Sequence, residues 1–393
     1  IEEEHELSKE EQTFWSVAVR YLRKKLVNDG IELPLIKDNM QTKPVSDEVI
    51  ETRFPSDEPI NLSSSAVTTF YNNQYKYFLQ YVLGLQEVET IHPDARNHGT
   101  YLHRVFELVM KDASNQPFDN KLDRAIQTTN AEDAFKFIYE EDEESRYSLT
   151  VLEDIARSTA TILRQDTQIQ VENEEEPFEL MLANAVRIRG IIDRVDRLSD
   201  GSLGVVDYKS SNNTFDIQKF YNGLNPQLVT YMQALRDKKI KSESDKIFGA
   251  MYLHMQEPKV DLSSVATTEK ILENLSKELR YRGLFLEDEK GYLSNGNYHL
   301  NDSVYTQEEL DILLAYNQKL FLQAAEQIKQ GYFLINPYSE DGKTVKGDQL
   351  KAITRFEADR HMPYARKWFK LPRKDRRQGF LSLMQEEEEK DVQ

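Results

Sequence analysis

Apolar positions in the first third of the chain recur at the three- and four-residue spacing of amphipathic helices. The pattern is clearest over residues 99–111, where Leu102, Val105 and Phe106 fall on one side. Side chains at these spacings share a helix face, so this segment is predicted to bury that face. Other helices are predicted over 12–30, over 63–84 with Ser63 to Ser65 as candidate caps, over 121–139 and over 149–166.

The middle of the chain changes to runs rich in Val and Ile, which favour β-strands. The segments "ANAVRIRGI", "IIDRVDRLS" and "LGVVDYKS" predict a meander, and residues 246–255 predict a further buried strand. A helix over "NPQLVTYMQALRDK" should follow the meander, with Asn225 as its cap and Pro226 at its first position. A long helix is expected from the Thr306 capping box to Gly331. This order predicts an α/β fold, with helices flanking a mixed sheet.

The organisation of the chain is predicted from changes in its composition. Residues 31–60 are rich in Pro, Asp and Ser and are predicted to be a linker. Together with the isolated helix before them and the missing initiator Met, they indicate a piece of a longer protein. Residues 1–58 are therefore assigned to the end of a preceding domain. The main domain is expected over 59–385, with its core at about 97–256, followed by an acidic tail over 386–393.

The chain has 393 residues and no cysteine. This composition excludes disulfides, thiolate zinc sites, cysteine-ligated iron–sulfur clusters and cysteine nucleophiles. It favours an intracellular, cytoplasmic location. No apolar run approaches the length of a membrane-spanning helix, so a soluble chain is expected.

The formal charge of −18 is concentrated in acidic blocks, among them residues 140–144, 172–176 and 386–389. Blocks of this kind are usually solvated. Residues 366–380, "RKWFKLPRKDRRQGF", have the opposite bias and include three aromatic residues. They could hold phosphates and stack on bases, or form a solvated basic tail. Charge alone leaves both interpretations open.

Two aspartates and a lysine stand at core positions of a predicted hairpin, in "IIDRVDRLSDGSLGVVDYKSS". A two-residue loop would put Asp193 opposite Tyr208, with Asp193 and Asp207 on different faces of the sheet. A three-residue loop with a left-handed Gly201 would put Asp193 opposite Asp207, with Lys209 on the same face. In the second register the two carboxylates are close enough to bind one cation.

A divalent metal would resolve the repulsion between two such carboxylates. Oxygen ligands suit Mg²⁺, with Mn²⁺ as the alternative. Lys209 could then orient or deprotonate a water molecule or stabilise developing negative charge. The alternative is structural: Asp193 would pair with a neighbouring arginine, and Asp207 and Lys209 would form an ordinary surface ion pair.

Two helices carry further polar pairs at four-residue spacing. His103 and Glu107 stand beside the apolar stripe of the helix over 99–111 and can point to one place. Gln227 and Tyr231 do the same on the helix after the meander. A helical His or Tyr is more often simply buried and packed, so neither pair defines a site on its own.

Taken in order, "GTYLHRVFE", "GIIDRVD", "VVDYKSS" and "QLVTYMQAL" resemble the RecB-like branch of the PD-(D/E)XK nuclease superfamily, in particular the nuclease domains of AddB/RexB-type subunits. The resemblance covers about residues 61–380 and implies a restriction-endonuclease-like core. It implies that His103, Asp193 and Asp207 are metal ligands, with the Tyr208 backbone carbonyl nearby. It further implies that Lys209 is the catalytic lysine and that Gln227 and Tyr231 form the Q-x-x-x-Y pair.

The same resemblance implies a Mg²⁺-dependent deoxyribonuclease, an exonuclease that acts on single-stranded DNA ends during double-strand break processing and recombinational repair. It implies a helicase partner of the AddA/RexA type. The sequence has no phosphate-binding G-x-x-x-x-G-K-[ST] loop, so this chain is not expected to use ATP. The alternatives are a free-standing RecB-like exonuclease and a catalytically inert module for DNA binding or scaffolding.

Many relatives of this type hold an iron–sulfur cluster through four cysteines. Here Asn73, Asp359, Met362 and Trp368 stand at the corresponding positions, which implies the clusterless form. The segments before and after the core must then be held together by packing. The residues predicted to do this are Tyr71, Tyr75, Phe78 and the 364–368 region.

Overall fold

The computed structural model of the chain describes residues 9–30, 40, 42–85, 93–165, 169–240, 244, 246–256, 267, 270–271, 274, 277–294, 296–346 and 350–392. It divides into two units, Ile1–Gln41 and Thr42–Gln393. The first unit contains helix α1 (Lys9–Asn28). All other elements belong to the second unit.

A mixed sheet organises the second unit. The strands are β1 (Ile60–Leu62), β2 (Ile169–Leu182), β3 (Val186–Leu198), β4 (Leu203–Lys209), β5 (Ile247–His254), β6 (Arg282–Leu286) and β7 (Val304–Tyr305). Within the described ranges their order is β1-β3-β4-β5-β6-β7, with β2 also paired to β3. The β1–β3, β4–β5 and β6–β7 pairs are parallel, and the β2–β3, β3–β4 and β5–β6 pairs are antiparallel. The predicted α/β fold class is therefore confirmed.

Helices cover both faces of this sheet. The early ones are α2 (Asp47–Arg53), α3 (Ser64–Asn72), α4 (Gln74–Tyr77), α5 (Ala95–Lys111), α6 (Phe118–Ala131), α7 (Asp133–Tyr139) and α8 (Glu143–Gln165). The later ones are α9 (Ile217–Tyr221), α10 (Gln227–Arg236), α11 (Lys290–Leu293), α12 (Gln307–Lys329), α13 (Lys351–Thr354), α14 (Ala358–His361) and α15 (Arg376–Val392).

The alternation of side chains along the strands supplies two hydrophobic cores. Val195 and Val205 lie in one core, which they share with residues of α3, α10 and α12. Val206 and Tyr208 lie in the other core with residues of α5, α6 and α8. Because successive side chains point to opposite faces, the odd-numbered Asp207 shares its face with Val205.

Sequence patterns located most helices, and capping explains several of their ends. The Ser63 hydroxyl accepts from Ala66 N–H and starts α3, and the Thr306 capping box starts α12, both as predicted. The single helix expected over 63–84 is instead broken at Asn73. The buried Asn73 side chain accepts from Tyr75 N–H at 3.0 Å and so begins α4, which leads into a π-helical turn over Phe78–Val82.

Four predictions were wrong in detail. The expected linker over 31–60 includes α2, whose Ile50 is part of the hydrophobic core, and β1. The acidic block 172–176, expected to be solvated, lies in β2. The segments "ANAVRIRGI" and "IIDRVDRLS", expected as separate parts of the meander, contribute to the one continuous strand β3. The expected acidic tail belongs to α15, where Glu387 accepts a 2.6 Å hydrogen bond from the Tyr221 hydroxyl. The expected domain boundaries otherwise stay a prediction.

The segments before and after the core meet at Arg366. Its guanidinium donates to the Tyr71 carbonyl and, at 2.8 Å, to the Asn222 carbonyl, and it lies 4.7 Å from the centre of the Tyr71 ring. The predicted clamp is confirmed at Tyr71. Phe78 instead packs on Phe333.

Strand β8 (Tyr338–Ser339) pairs with β9 (Arg366–Lys367), which fixes the start of the basic segment. Arg377, later in the same segment, donates to Glu309 and to the Val304 carbonyl. These two arginines, Arg366 and Arg377, therefore hold the fold together. A role in phosphate binding for the exposed Lys370 and Arg373 stays a prediction. None of the helices in the described residues is long and apolar enough to span a membrane.

Candidate active site

The loop between β3 and β4 sets the register of the hairpin. Arg194 pairs with Val206 and Arg197 with Leu203, so paired residue numbers sum to 400. Leu198 N–H donates to the Ser202 carbonyl at 2.9 Å, which leaves a three-residue loop in which Gly201 has a φ of +90°. This is the register that places Asp193 across from Asp207, and the prediction about Gly201 is confirmed.

Asp193 is held by the backbone of the neighbouring strand. The Tyr208 N–H donates to its Oδ2 at 2.8 Å, just beyond the last backbone pair of the β3–β4 ladder. The Asp193 carboxylate therefore accepts the hydrogen bond from Tyr208 N–H, which a backbone carbonyl of β3 would accept if the ladder continued. This contact fixes the Asp193 carboxylate beside the segment that carries Asp207 and Lys209.

Asp207 is almost fully buried, and both of its oxygens face polar groups. Its Oδ1 accepts from Gln227 Nε2 at 2.8 Å and from the Tyr231 hydroxyl at 3.1 Å. Its Oδ2 lies 2.6 Å from Lys209 Nζ, although the angles of that contact do not make a hydrogen bond. Gln227 Nε2 also lies 2.9 Å from the Tyr231 hydroxyl, so one turn of α10 orients one carboxylate oxygen.

His103 reaches the same place from α5. Its Nε2 donates to the Tyr208 carbonyl at 3.0 Å, and its Nδ1 lies 3.6 Å from Asp193 Oδ2. Burial lowers the pKa of His103, which favours the neutral ring. A neutral ring that donates through Nε2 has its lone pair on Nδ1, facing a carboxylate that cannot donate to it when ionised.

The electrostatics of the site favour a cation. Burial is the main cause that raises the pKa of Asp193 to about 8, and the nearby Asp207 carboxylate is the second. The Tyr208 N–H and the Lys209 ammonium oppose that rise. A carboxylate of this kind either binds a proton or requires additional positive charge.

The donor set fits a hard divalent ion in its chemistry. Asp193 and Asp207 supply carboxylate oxygens, Tyr208 a backbone carbonyl, and His103 a lone pair on Nδ1. In the part of the chain that the structure describes, however, no three His, Asp or Glu side chains already stand in a ligating arrangement. Lys209 is at Asp207 Oδ2, so that contact would have to loosen as an ion enters. The predicted metal-ligand roles stay predictions.

Glu107, predicted to point to the same place as His103, is engaged elsewhere. It accepts from Arg104 at 2.9 Å and from Lys111 at 2.6 Å, and these contacts lower its pKa despite partial burial. Glu107 and His103 nevertheless line the same cavity of about 670 Å³. The structure thus assigns Glu107 to an ion-pair cluster on α5.

Sequence reasoning missed the residues that support the site from behind. Arg194 is buried and donates to Asp196 at 2.7 Å, to the Tyr208 hydroxyl at 3.0 Å and to the Tyr281 hydroxyl at 2.9 Å. These contacts hold the Tyr208 side chain on the face opposite Asp207. Arg194 entered the sequence analysis only as a neighbouring arginine that could pair with Asp193, and nothing local indicated Asp196 or Tyr281 as its partner.

Glu175 was also missed. It belongs to the acidic block assigned to solvent, yet it lines the same cavity as His103 and Asp193 and contributes to the raised pKa of Asp193. Its φ of +46° interrupts the regular course of β2, between the paired residues Glu174 and Glu176. A third carboxylate therefore stands beside the two that the sequence predicted.

The fold and this arrangement of side chains define a class of nuclease. Residues 61–344 match the PD-(D/E)XK nuclease superfamily, and the chain belongs to that family.

The chain is also similar to individual proteins over nearly its whole length. It is 69% identical over 388 residues, 99% of this chain, to a Streptococcus mutans protein named as a subunit of an ATP-dependent helicase/deoxyribonuclease. It is 64% identical over 98% of its length to the protein of that name in Streptococcus agalactiae, and 54% identical over 97% to that of Streptococcus pyogenes. The chain spans 36% of the length of each of these relatives.

Proposed function

We propose that this chain is a metal-dependent deoxyribonuclease domain that hydrolyses DNA phosphodiester bonds as part of a helicase–nuclease subunit. The observation that carries the proposal is the convergence of Asp193, Asp207 and Lys209 on one face of the β3–β4 hairpin. Membership of a nuclease superfamily supports the reaction class. The names of the relatives support DNA as the substrate and a helicase–nuclease as the assembly.

Asp193 and Asp207 would hold the ion, with the Tyr208 carbonyl and His103 beside it. We propose Mg²⁺ as this ion, with Mn²⁺ as a substitute. When bound, it supplies Lewis-acid stabilisation and lowers the pKa of a water molecule. Gln227 and the Tyr231 hydroxyl hold Asp207 Oδ1, which leaves Oδ2 to face the reacting groups.

Lys209 has two uses in the hydrolysis. Its ammonium can stabilise the negative charge that grows on the phosphate oxygens, and it can orient the attacking water. The water oxygen forms a bond to phosphorus and gives up one proton, the bond from phosphorus to one flanking ribose oxygen breaks, and that oxygen takes up a proton as it leaves. The products are two strands, one of which ends in a phosphate.

We further propose that the substrate is a single-stranded end delivered by a helicase subunit of the AddA/RexA type, during double-strand break processing and recombinational repair in the cytoplasm. A strand separated from its complement exposes both its phosphates and its bases. The helicase partner would supply the ATP-driven movement, since this chain has no phosphate-binding loop of its own.

The deciding experiment is cleavage of end-labelled single-stranded DNA by the full chain, in Mg²⁺ and in EDTA, with and without the helicase subunit. We expect cleavage in Mg²⁺ and none in EDTA. Asp207→Ala and Lys209→Ala should each abolish it while near-native circular dichroism is kept. Lys239→Ala, which removes an exposed lysine beyond the far end of α10, is the matched control and should cleave normally.

Unchanged cleavage by Asp207→Ala would refute the site. Absence of cleavage by the wild-type chain, both alone and with the helicase subunit, would instead favour a non-enzymatic module. Labels placed at the 5′ and at the 3′ end report the polarity in the same assay.

A further inference from the structure

Two cavities meet at Lys209. The first, of about 670 Å³, is the one lined by His103 and Asp193, and Lys209 forms part of its wall. The second, of about 610 Å³, lies on the other side of Lys209, between the start of α3 and the start of α10. Both volumes are typical of small-molecule sites. A substrate at Lys209 therefore has room to extend in two directions.

The two cavities differ in charge. Four carboxylates line the first, those of Glu107, Glu132, Glu175 and Asp193. Three cations also line it, Arg96, Lys209 and Arg104, and the last of these is paired with Glu107 and Glu132. Carboxylates outnumber cations in this wall, which disfavours a polyanion unless metal ions neutralise them.

Among the described residues that line the second cavity there is no carboxylate, and there are three cations, Arg189, Lys209 and Lys219. Lys209 faces Asp207, and Arg189 donates to the exposed Glu179 at 2.8 Å. Lys219 is exposed and forms no ion pair with any part of the chain that the structure describes. Its charge is thus available to an anionic ligand.

The remaining walls of the second cavity suit a nucleotide. The hydroxyls of Ser63, Ser64 and Ser65 line it where α3 begins, so hydroxyl and backbone donors face the same space. Phe178 also lines the cavity, but its side chain is buried and its ring packs against Gly190 and Tyr231. Cations beside hydroxyl groups are a combination that binds the phosphates of single-stranded nucleic acid.

We propose that the second cavity is the subsite for the segment of single-stranded DNA next to the scissile phosphate. Lys219 and Arg189 neutralise its phosphates. This inference rests on the proposed nuclease function. It adds a direction: the uncut strand extends from Lys209 towards α3 and α9, away from the acidic cavity.

The test measures binding separately from cleavage. A short fluorescein-labelled oligo-dT is titrated with the full chain in EDTA, and the anisotropy gives Kd at several salt concentrations. If Lys219 contacts one phosphate, Lys219→Gln should lower the slope of log K against log salt by about 0.7, which corresponds to roughly fivefold weaker binding near 0.1 M salt. Lys219→Arg should restore binding, and Arg189→Gln should weaken it similarly.

Lys239→Gln is the matched control, since it removes an equal charge from a site outside both cavities. Binding by Lys219→Gln that equals binding by Lys239→Gln would overturn the subsite, even if the wild-type chain cleaves DNA. Weakened binding by Lys219→Gln in a chain that never cleaves would support the subsite and refute the nuclease. A failure of the subsite proposal and a failure of the nuclease proposal therefore give different experimental results.

Discussion

Arg194 and Asp196 form a buried ion pair directly behind the candidate site. The guanidinium donates to Asp196 Oδ2 at 2.7 Å, and both side chains are almost completely excluded from solvent. The two residues stand on the same face of β3, two positions apart. The guanidinium also donates to the Tyr208 and Tyr281 hydroxyls. The pair therefore links β4, which carries Tyr208, to Tyr281, the residue directly before β6.

Removing one partner of this pair should be costly. Arg194→Met leaves a buried carboxylate and two hydroxyls without their donor, and the free energy of unfolding should fall by about 3–5 kcal/mol. The double variant Arg194→Met/Asp196→Leu should be more stable than the single one, because no charge stays buried. Urea denaturation measures the free energy of unfolding of both variants.

The control is Arg157→Met, which breaks the exposed pair with Asp123 and should lower the free energy of unfolding by less than about 1 kcal/mol. Equal losses for the two single variants would show that burial of Arg194 is not what matters.

The conformation of Gly201 makes a prediction about backbone alone. Its φ of +90° is unfavourable for a residue with a β-carbon, yet an added β-carbon would meet nothing closer than 3.9 Å. Gly201→Ala should therefore lower the free energy of unfolding by about 1 kcal/mol or more through backbone strain. Gly291→Ala is the control, because that position has open space and no positive φ. It should be neutral or stabilising, as measured by thermal unfolding. A neutral result at Gly201 would mean that the loop relaxes without strain.

Glu174 should make stability depend on pH. The side chain is half-buried, and burial raises its pKa to about 7. A group whose folded-state pKa is raised contributes stability below its unfolded pKa of about 4.5 and loses that contribution as the pH rises through about 7. Glu174→Gln should therefore match wild type near pH 4 and exceed it at pH 8, by roughly 1–2 kcal/mol after allowance for solvent screening.

Glu172 provides the contrast on the same strand. Arg197 donates to both of its oxygens at 2.7 Å, and these hydrogen bonds lower its pKa. A lowered pKa contributes stability that is present above the unfolded pKa and lost as the pH falls. Glu172→Gln should therefore be less stable than wild type at pH 8. If both variants shift in the same direction at pH 8, the burial argument for Glu174 is wrong.

Metal binding should stabilise the fold. If Mg²⁺ binds the folded state at Asp193 and Asp207, a concentration one hundred times Kd adds about 2.7 kcal/mol to the free energy of unfolding. Differential scanning calorimetry should show a higher Tm in Mg²⁺ than in EDTA. Asp193→Asn should lose that shift, and it should be more stable than wild type in EDTA because the carboxylate repulsion is gone. Asp311→Asn, at an exposed pair with Arg236, should keep the shift. A shift that survives in Asp193→Asn would place the ion elsewhere.

Local patterns identified most of the candidate site. The Gly201 loop, the two strand aspartates and the i, i+4 pairs all lie within short segments whose geometry follows from helix and strand periodicity. The failures came from longer-range effects. Strand β2 was missed because its glutamates are balanced by residues of β3, such as Arg197, and so do not need to be solvated.

The role of Arg194 required knowledge of Tyr281, which lies 87 residues further along the chain. The break at Asn73 depended on whether its side chain would cap the next helix. A distant partner decided the first of these features, whereas the second depended on a local choice between continuing one helix and capping the next.

The contacts of Arg366 have a consequence for how this fold tolerates mutation. Both hydrogen bonds that join it to the early and middle parts of the chain end on backbone carbonyls, those of Tyr71 and Asn222. Every amino acid brings the same carbonyl, so changes of side chain at positions 71 and 222 leave these acceptors in place. The two side chains are engaged as well: the Tyr71 ring lies 4.7 Å from the guanidinium, and the Asn222 amide donates to the Phe369 carbonyl at 3.1 Å. A substitution at either position should therefore loosen the packing around Arg366 while leaving its two backbone acceptors in place.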